Sequence, residues 1–307
     1  MKVYRGLSEL KLGKNIAVTT GMFDGVHLGH EKVLKSLKEF AKNNGCESLV
    51  LTFDSHPRIV LQQNTDLKLL SSLDEKISLL EKQGIDHLLI LPFTKEFSRV
   101  SSLDFVRNIL VGALRTSILV IGHDHHFGRN REGSFEHLQE FGPVYGFEVK
   151  EIPAKDVEEV SVSSTKVRKA LLKGDVEKAK AYLGYAYQLT GTVVKGQQIG
   201  ASLGFPTANM MLSDPYKLVP KKGVYAVGVF VEGEKLQGML NIGVRPTLSE
   251  NDVETIEVNI FSFDKDIYGS EIQITFLERI RDEKKFDSTT ELEDQLKMDK
   301  LSCLKLI

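Results

Sequence analysis

The feature that most constrains the fold is a change of hydrophobic pattern near residue 185. Before it, short and almost continuous apolar runs alternate with stretches of helical period, for example Ile16–Thr19, His30–Asn43 and Ser48–Phe53. Such alternation is typical of a parallel sheet covered by helices on both faces. After it, strand-like runs follow one another, several of them separated by turns that contain Gly or Asp. That pattern is typical of a small β-barrel.

The same reading predicts the remaining elements. In the first half it adds two strands and two helices, at His87–Leu91, Ile118–Ile121, Leu73–Gln83 and Ser102–Leu114. In the second half it predicts five strands and a closing helix, at Gln188–Lys195, Val224–Val231, Lys235–Ile242, Ile256–Phe263, Glu271–Phe276 and Thr289–Lys300. The predicted fold class is therefore α/β, with a doubly wound parallel-sheet domain over 1–185 and an antiparallel β-barrel domain with a closing helix over 186–307.

Composition limits the partners. The 40 basic and 42 acidic residues give a net charge of −2, so no strong field favours nucleic acid or an anionic membrane. Small molecules are the expected partners. Two cysteines, Cys46 and Cys303, fit a reducing cytoplasm. The longest apolar runs are far shorter than the ~20 residues that span a bilayer.

The segment GMFDGVHLGH, Gly21 to His30, follows the first predicted long strand and opens a helix. Three interpretations compete for its two histidines. A metal site would need further ligands, of which His123, His125 and His126 are the nearest candidates. Two surface histidines would leave the glycines without a purpose. A phosphate site fits best, because backbone N–H groups and the helix dipole favour an anion at a helix N-terminus.

This segment resembles the HxGH signature of nucleotidyltransferases, and FDGVHLGH is similar to the bacterial bifunctional riboflavin kinase/FAD synthetase family. Three more segments of the first half match that family. They are TFDSHP at 52–57, with Ser55 as a departure, IGHDHHFG at 121–128, with His125 in an aromatic position, and SSTKVR at 163–168. Taken alone, SSTKVR is equally a helix N-cap, and Asp54 and Asp124 are equally loop acids that cap turns.

The resemblance implies roles for the first domain. His27 and His30 would stabilise the transition state of adenylyl transfer. The implied ATP-binding residues are Gly21, Phe23, Asp24, Gly25, His27, His30, Asp124, Ser164, Thr165 and Arg168. The implied flavin-binding residues are Phe53, Asp54, His56, His125 and Phe127.

The second half also matches the family. GQQIGASLGFPTAN at 196–209 contains LGFPTAN, which resembles the riboflavin kinase PTAN motif, and GVYA, NIGVRPT, ETIEVNIFSF and FLERIRDEKKF follow in order. Two departures are visible: Ala201 stands where the family often has Arg, and Asn259 where it often has His. Lys195 is the candidate replacement for the missing phosphate contact.

The resemblance implies a second set of residues. Glu257 would be the catalytic base, although its strand pattern alone also permits a solvent-facing residue. The implied ATP-binding residues are Gly196, Gly200, Gly204, Pro206, Thr207 and Asn209, with Thr207 and Asn209 also holding Mg²⁺. The implied flavin-binding residues are Arg245, Thr247, Glu257 and Arg281.

The expected function is therefore bifunctional: riboflavin is phosphorylated by ATP to FMN, and FMN is adenylylated to FAD with release of pyrophosphate. ATP, riboflavin and FMN are the expected partners, with Mg²⁺, without nucleic acid or membrane, and with a transient homo-oligomer at most. One competing hypothesis keeps the fold and the FAD synthetase activity but weakens the kinase half. Two further hypotheses are a flavin-binding regulator without turnover and an unrelated nucleotidyltransferase.

Overall fold

The computed structural model describes residues 1–13, 15–62, 66–122, 126–152, 162–196, 200, 203–245 and 253–306. They form two compact units, Met1–Ser164 and Thr165–Ile307. No helix among these described residues is long and apolar enough to cross a membrane.

The described part of the first unit contains a parallel sheet with helices. Its strands are β1 (Lys2–Tyr4), β2 (Ile16–Thr20), β3 (Glu47–Phe53), β4 (His87–Leu91), β5 (Thr116–Gly122) and β6 (Glu148–Ile152), ordered β1-β4-β3-β2-β5-β6. Its helices are α1 (Leu28–Asn43), α2 (Pro57–Leu61), α3 (Leu73–Lys82), α4 (Ser102–Asp104) and α5 (Phe135–Tyr145), together with a π-helix, Phe105–Ala113, and 3₁₀ turns at Leu7–Glu9, Phe97–Arg99 and Arg129–Arg131.

Both faces of this sheet are buried, as continuous apolar strands require. Along β2, Ile16 and Val18 belong to a cluster that contains the π-helix, whereas Ala17 belongs to the cluster that contains α1 and α3. Strand β2 lies between β3 and β5, so the chain leaves it at the point where the strand order reverses. Ligands of doubly wound sheets bind at the carboxyl ends of the strands beside such a point.

The second unit contains a closed antiparallel barrel. Its strands are β7 (Gln188–Val194), β8 (Ala208–Leu212), β9 (Gly223–Val231), β10 (Glu234–Arg245), β11 (Val253–Ile260) and β12 (Glu271–Arg281), ordered β10-β11-β8-β7-β12-β9. The helices with described bounds are α6 (Ser164–Leu172, whose first residue belongs to the first unit), α7 (Val176–Leu183) and α8 (Thr289–Lys305). Helix α8 packs on the barrel through a small cluster that includes Phe205, Met239 and the buried Cys303; burial raises the pKa of the Cys303 thiol to about 12.

The predicted α/β architecture is confirmed, and the differences are local. The helix expected over Ser102–Leu114 is mostly π-helical. The PTAN segment, expected as a loop, enters strand β8 at Ala208. Strands β1 and β6 were not predicted; β6 reads EVKEI, which is too polar to resemble a buried strand.

Gly191 provides a test of barrel closure. A Cβ at this position of β7 would lie 2.3 Å from the carbonyl oxygen of Met211. Gly191→Ala should therefore destabilise the barrel by about 1–3 kcal/mol, as overpacking typically does. Gly228→Ala on β9 is the matched control, because its nearest contact would be an ordinary 3.8 Å. Urea unfolding of both variants measures the difference, and equal losses of stability would contradict this account.

Candidate active sites

The loop between β2 and α1 is held in a strained conformation. Phe23 and Val26 have positive φ angles of 48° and 36°, which non-glycine residues rarely adopt, and Gly25 between them has φ 78°. Strain of this kind persists only where the surroundings over-determine the backbone, and it is often found at functional sites. Gly21 lies close to the Phe23 ring, because a Cβ there would be 3.2 Å from it, a tight contact.

Asp24 fastens this loop to the segment before α3. Its Oδ1 accepts hydrogen bonds from the backbone N–H groups of Leu70 (2.9 Å) and Ser71 (3.2 Å). The Ser71 hydroxyl in turn accepts from the N–H of Gly25 at 3.1 Å. Asp24 is only 4% exposed, so these bonds account for its burial. Its predicted part in ATP binding stays a prediction.

His27 is the N-cap of α1. Its Nδ1 accepts a hydrogen bond from the backbone N–H of His30 at 3.3 Å, so the neutral ring carries its proton on Nε2. Gly29 leaves room for this ring, because a Cβ at Gly29 would lie 3.2 Å from it. The chain therefore presents one imidazole N–H donor at a helix N-terminus, a geometry suited to an anion.

His30 stacks on His27, with ring centroids 3.7 Å apart and planes 13° from parallel. Its Nδ1 is buried and has no hydrogen-bond partner among the described residues. Burial, and then the charges of His27 and Lys76, lower the pKa of His30 well below its ordinary value of 6.5. His30 is therefore neutral at pH 7. Parallel rings do not direct two lone pairs at one ion, which disfavours the metal interpretation.

Lys76 is a residue that the sequence analysis missed. It lies on α3, is 5% exposed, and donates from Nζ to the carbonyl oxygen of Phe53 at 3.2 Å. The sequence feature that could have identified Lys76 is its position on the apolar face of an amphipathic helix. A buried lysine close enough to lower the pKa of a histidine contributes positive charge to this edge of the sheet.

Two predicted flavin-binding aromatics belong to one described cluster. Phe53 makes edge contacts with Phe93 and Phe97, at centroid distances of 5.4 and 5.3 Å. Phe97 reaches Phe105 at 6.4 Å, and Phe105 reaches Phe127 at 5.7 Å. An apolar wall at the carboxyl end of β3 could hold a flat aromatic ligand.

The polar residues beside this wall have structural contacts. Asp54 accepts from the N–H of Phe93 at 3.2 Å. His56 caps α2 by accepting from the N–H of Arg58 at 3.1 Å. Ser164, the last residue of the first unit, donates to the carbonyl oxygen of Asp24 in the strained loop at 3.1 Å. Thr165 and Arg168 lie on α6 in the second unit. Asp124 and His125 lie outside the described residues.

Strand pairing assembles the site of the second unit. The register of β8 and β11 sets Asn209 opposite Glu257. The Thr207 hydroxyl donates to Glu257 Oε2 at 3.3 Å. Gly196 leaves the space that the Asn209 amide occupies, because a Cβ at residue 196 would displace that side chain. The Thr207 hydroxyl and the Asn209 amide thus lie close to the Glu257 carboxylate, although Glu257 is about fifty positions further along the chain.

The loop before β8 is fixed by its own contacts. Gly200 accepts from the N–H of Phe205 at 2.8 Å, and Gly204 has φ 79°. Asn259, the departure from the family pattern, donates from Nδ2 to the carbonyl oxygen of Pro206 at 2.7 Å. Asn259 therefore holds the loop that positions Thr207.

Two cavities meet at Thr207. One, of about 250 Å³, is lined by apolar side chains such as Leu203 and Phe286 and by Glu257, Asn259 and Arg281. The other, of about 470 Å³, is lined by Pro206, Ala208, Val258 and the 263–268 segment. Lys195 lies beside the second, with Nζ 6.0 Å from the centroid of the Tyr268 ring that lines it. Thr247 and the side chain of Arg245 lie outside the described part of the chain.

Arg281 is held by a partner that the sequence analysis did not identify. Asp299 of α8, 2% exposed, accepts from Arg281 Nε at 3.0 Å and from Nη2 at 2.8 Å. Gln295 donates to the same carboxylate at 2.9 Å. This buried pair joins α8 to β12 across the smaller cavity, which both residues line. Because Arg281 and Asp299 lie on separate elements, the spacing of residues in the sequence could not predict their contact.

Comparison with known families assigns each half. A family model described as FAD synthetase matches residues 10–166. One described as riboflavin kinase matches residues 183–307.

Similar proteins cover nearly the whole chain. A bifunctional riboflavin kinase/FMN adenylyltransferase of Listeria monocytogenes is 39% identical over 93% of this chain and 90% of its own length. The protein of the same description from Escherichia coli K12 is 36% identical over 98% and 96%. A crystal structure described as a macrolide-efflux protein from Streptococcus pneumoniae is 31% identical, covers 98% of both chains and has a TM-score of 0.88.

The lowered pKa of His30 predicts a pH dependence. The folded chain keeps this ring neutral, whereas the unfolded chain takes up a proton below pH 6.5. Since the unfolded state then binds more protons, stability falls as pH decreases through that value. His30→Gln should reduce this loss, measured as the change in thermal midpoint between about pH 7.5 and about pH 5. His137→Gln, at an exposed histidine, is the control, and an unchanged loss in His30→Gln would contradict the prediction.

Removing the charge of Asp299 should destabilise the second unit. Asp299→Asn leaves the Arg281 guanidinium without its carboxylate in a largely buried position, at a cost on the order of 3 kcal/mol. Asp294→Asn on the same helix is the control, because its ion pair with Lys297 is long, 3.7 Å, and exposed. Urea unfolding followed by circular dichroism compares the two. Similar midpoints for both variants would show that the pair contributes little.

Proposed function

Because the chain belongs to the bifunctional riboflavin kinase/FMN adenylyltransferase family, we propose that it converts riboflavin to FMN and FMN to FAD. The observation that carries this proposal is that each unit has its own cluster of polar side chains: stacked His27 and His30 in the first unit, and Thr207 bonded to Glu257 in the second. The Streptococcus pneumoniae structure supports the fold rather than an efflux role, because both family models and the curated relatives describe flavin enzymes.

In the first unit, FMN would attack the α-phosphate of ATP. An oxygen of the FMN phosphate forms the new bond to phosphorus as pyrophosphate leaves with the electron pair of the broken bond. The imidazole N–H of His27 and the neutral His30 would donate to phosphate oxygens as charge builds there. Phe53 and Phe127 would contact the isoalloxazine ring. Asp24 and Ser164 would hold the loop.

In the second unit, riboflavin would occupy the smaller cavity and ATP the larger. Glu257 lines the smaller cavity and Thr207 lines both, so the hydroxyl to be phosphorylated would meet the γ-phosphate between them. Glu257 would accept the proton of the riboflavin 5′-hydroxyl as that oxygen forms its bond to the γ-phosphorus, and ADP would leave with the electron pair of the broken P–O bond. Asp299 would orient Arg281 along the cavity wall.

Magnesium fits the donor set of the second unit. The Thr207 hydroxyl and the Asn209 amide oxygen are hard ligands, and the Glu257 carboxylate is opposite them. Thr207 and Asn209 would hold the ion with waters and ATP phosphates. When bound, Mg²⁺ would neutralise phosphate charge.

We assign adenylyl transfer to the domain expected over 1–185 and phosphorylation to the domain expected over 186–307. Most of α6 and most of α7 lie between the two matched ranges, and those residues belong to the second unit. We further propose a cytoplasmic enzyme that binds no nucleic acid or membrane and forms a transient homo-oligomer at most.

A chain with a weakened kinase half is the less favoured hypothesis. Both family models match, and the departure at Asn259 leaves a well-anchored loop. Ala201 lies outside the described residues, and Lys195 near the larger cavity remains the proposed replacement for a phosphate contact.

Incubation with riboflavin, ATP and Mg²⁺ should yield both FMN and FAD, resolved by chromatography. The double variant His27→Ala/His30→Ala should stop the two-step reaction at FMN, because its rate of FAD formation should fall by at least about 100-fold. Glu257→Gln should reduce FMN formation by about 100- to 10,000-fold, while supplied FMN still becomes FAD.

Two variants control for nonspecific damage. His137→Ala removes an exposed histidine of the first unit, and Glu254→Gln changes an exposed carboxylate on the same strand as Glu257. Both should keep wild-type rates. FAD formed from FMN but never from riboflavin would select the weakened-kinase hypothesis, and neither product from folded protein would refute the proposed function.

A further inference from the structure

Lys76 is a buried cation that the mechanism above does not use. Within the described part of the chain, its ammonium donates to the carbonyl oxygen of Phe53 at 3.2 Å. An ammonium has three N–H donors, and a buried donor without an acceptor is costly. Lys76 is 5% exposed. Among the described residues the bond to Phe53 is the one hydrogen bond of the ammonium, so its other N–H groups can donate to a ligand.

The stability of α3 does not explain this lysine. Lys76 is the fourth residue of the helix, where a positive charge opposes the helix dipole. Leu80, one turn further along the same helix, shows that an apolar residue packs well on this side. Burial lowers the pKa of Lys76 below its ordinary 10.5, although Asp24 and Asp54 oppose the shift.

The position of Lys76 is at the edge where the histidines lie. Phe53 is the last residue of β3, and His27 and His30 follow β2, its neighbour in the parallel sheet. The positive charge of Lys76 lies close enough to His30 to lower the pKa of the histidine. The charged and titratable groups that interact with the ammonium, within the described part of the chain, are Asp24, Asp54 and His30.

We propose that the Lys76 ammonium binds the phosphate of FMN at the adenylyltransferase site. This inference rests on the proposed function. The phosphate is assigned to FMN rather than ATP because Lys76 contacts β3, beside the aromatic cluster of Phe53, Phe93 and Phe97, whereas the histidines are on the β2 side. FMN and ATP are both anionic, so a cation beside the attacking phosphate reduces their repulsion. Lysine is a common phosphate ligand.

Lys76→Met keeps the length of the side chain and removes its charge. In steady-state FAD formation, the KM of this variant for FMN should rise at least about tenfold, because the loss of one charge-assisted hydrogen bond weakens binding by about that factor. Its KM for ATP should stay within about twofold of the wild-type value. Lys82→Met, on the exposed side of the same helix, should leave both constants unchanged. Riboflavin phosphorylation by the same preparation reports on the integrity of the second unit.

A pH profile separates binding from a structural role and works even if Lys76→Met folds poorly. The wild-type KM for FMN should rise at alkaline pH as the lysine deprotonates, below the ordinary lysine pKa of 10.5. Lys76→Arg keeps its charge over this range, so its KM for FMN should stay flat. A merely structural lysine would not produce this difference.

Each remaining result has a distinct meaning. Unchanged constants in Lys76→Met, or the same alkaline rise in Lys76→Arg as in wild type, would overturn the role of Lys76. A rise in the KM for ATP alone would overturn the assignment to FMN. A wild-type chain that forms no FAD from FMN and ATP would refute the proposed adenylyltransferase function and, with it, this inference.

Discussion

The hydrogen bonds from Leu70 and Ser71 to the Asp24 carboxylate are the interaction on which the first site depends. They hold a loop whose backbone dihedral angles at Phe23 and Val26 are energetically unfavourable. They also fix where α1 begins, at the carboxyl edge of the sheet. The same bonds fix the entry to α3, and hence the position of Lys76. One buried carboxylate thus connects the segments that lead into two helices, α1 and α3.

The second site depends on strand register instead. The pairing of β8 with β11 places Asn209 opposite Glu257, and a slip of one residue would turn the carboxylate to the other face. Under the proposed function, the chain would bind phosphate in two physically different ways. The first unit would use imidazoles and a helix N-terminus, whereas the second would use oxygen and amide groups on antiparallel strands.

Local patterns predicted most of the architecture, because each long apolar strand and amphipathic helix carries its own periodicity. Strand β4 was predicted with its observed bounds, His87–Leu91, and β2 to within one residue. Long-range contacts were not predictable. No local signal connects Arg281 with Asp299, or Lys76 with Phe53, because those pairs form only after separate elements pack together. The polar β6 and the π-helical segment likewise depend on tertiary context.

The docking of α8 has a consequence for how the second unit moves. The six barrel strands close on one another without this helix, which adds a wall to the smaller cavity through one buried ion pair and a small apolar cluster. Local unfolding of such an appended element costs less free energy than opening a closed sheet. Amide hydrogens of α8 therefore exchange with solvent sooner than those of the barrel, and a ligand that fills the cavity slows that exchange by favouring the docked state.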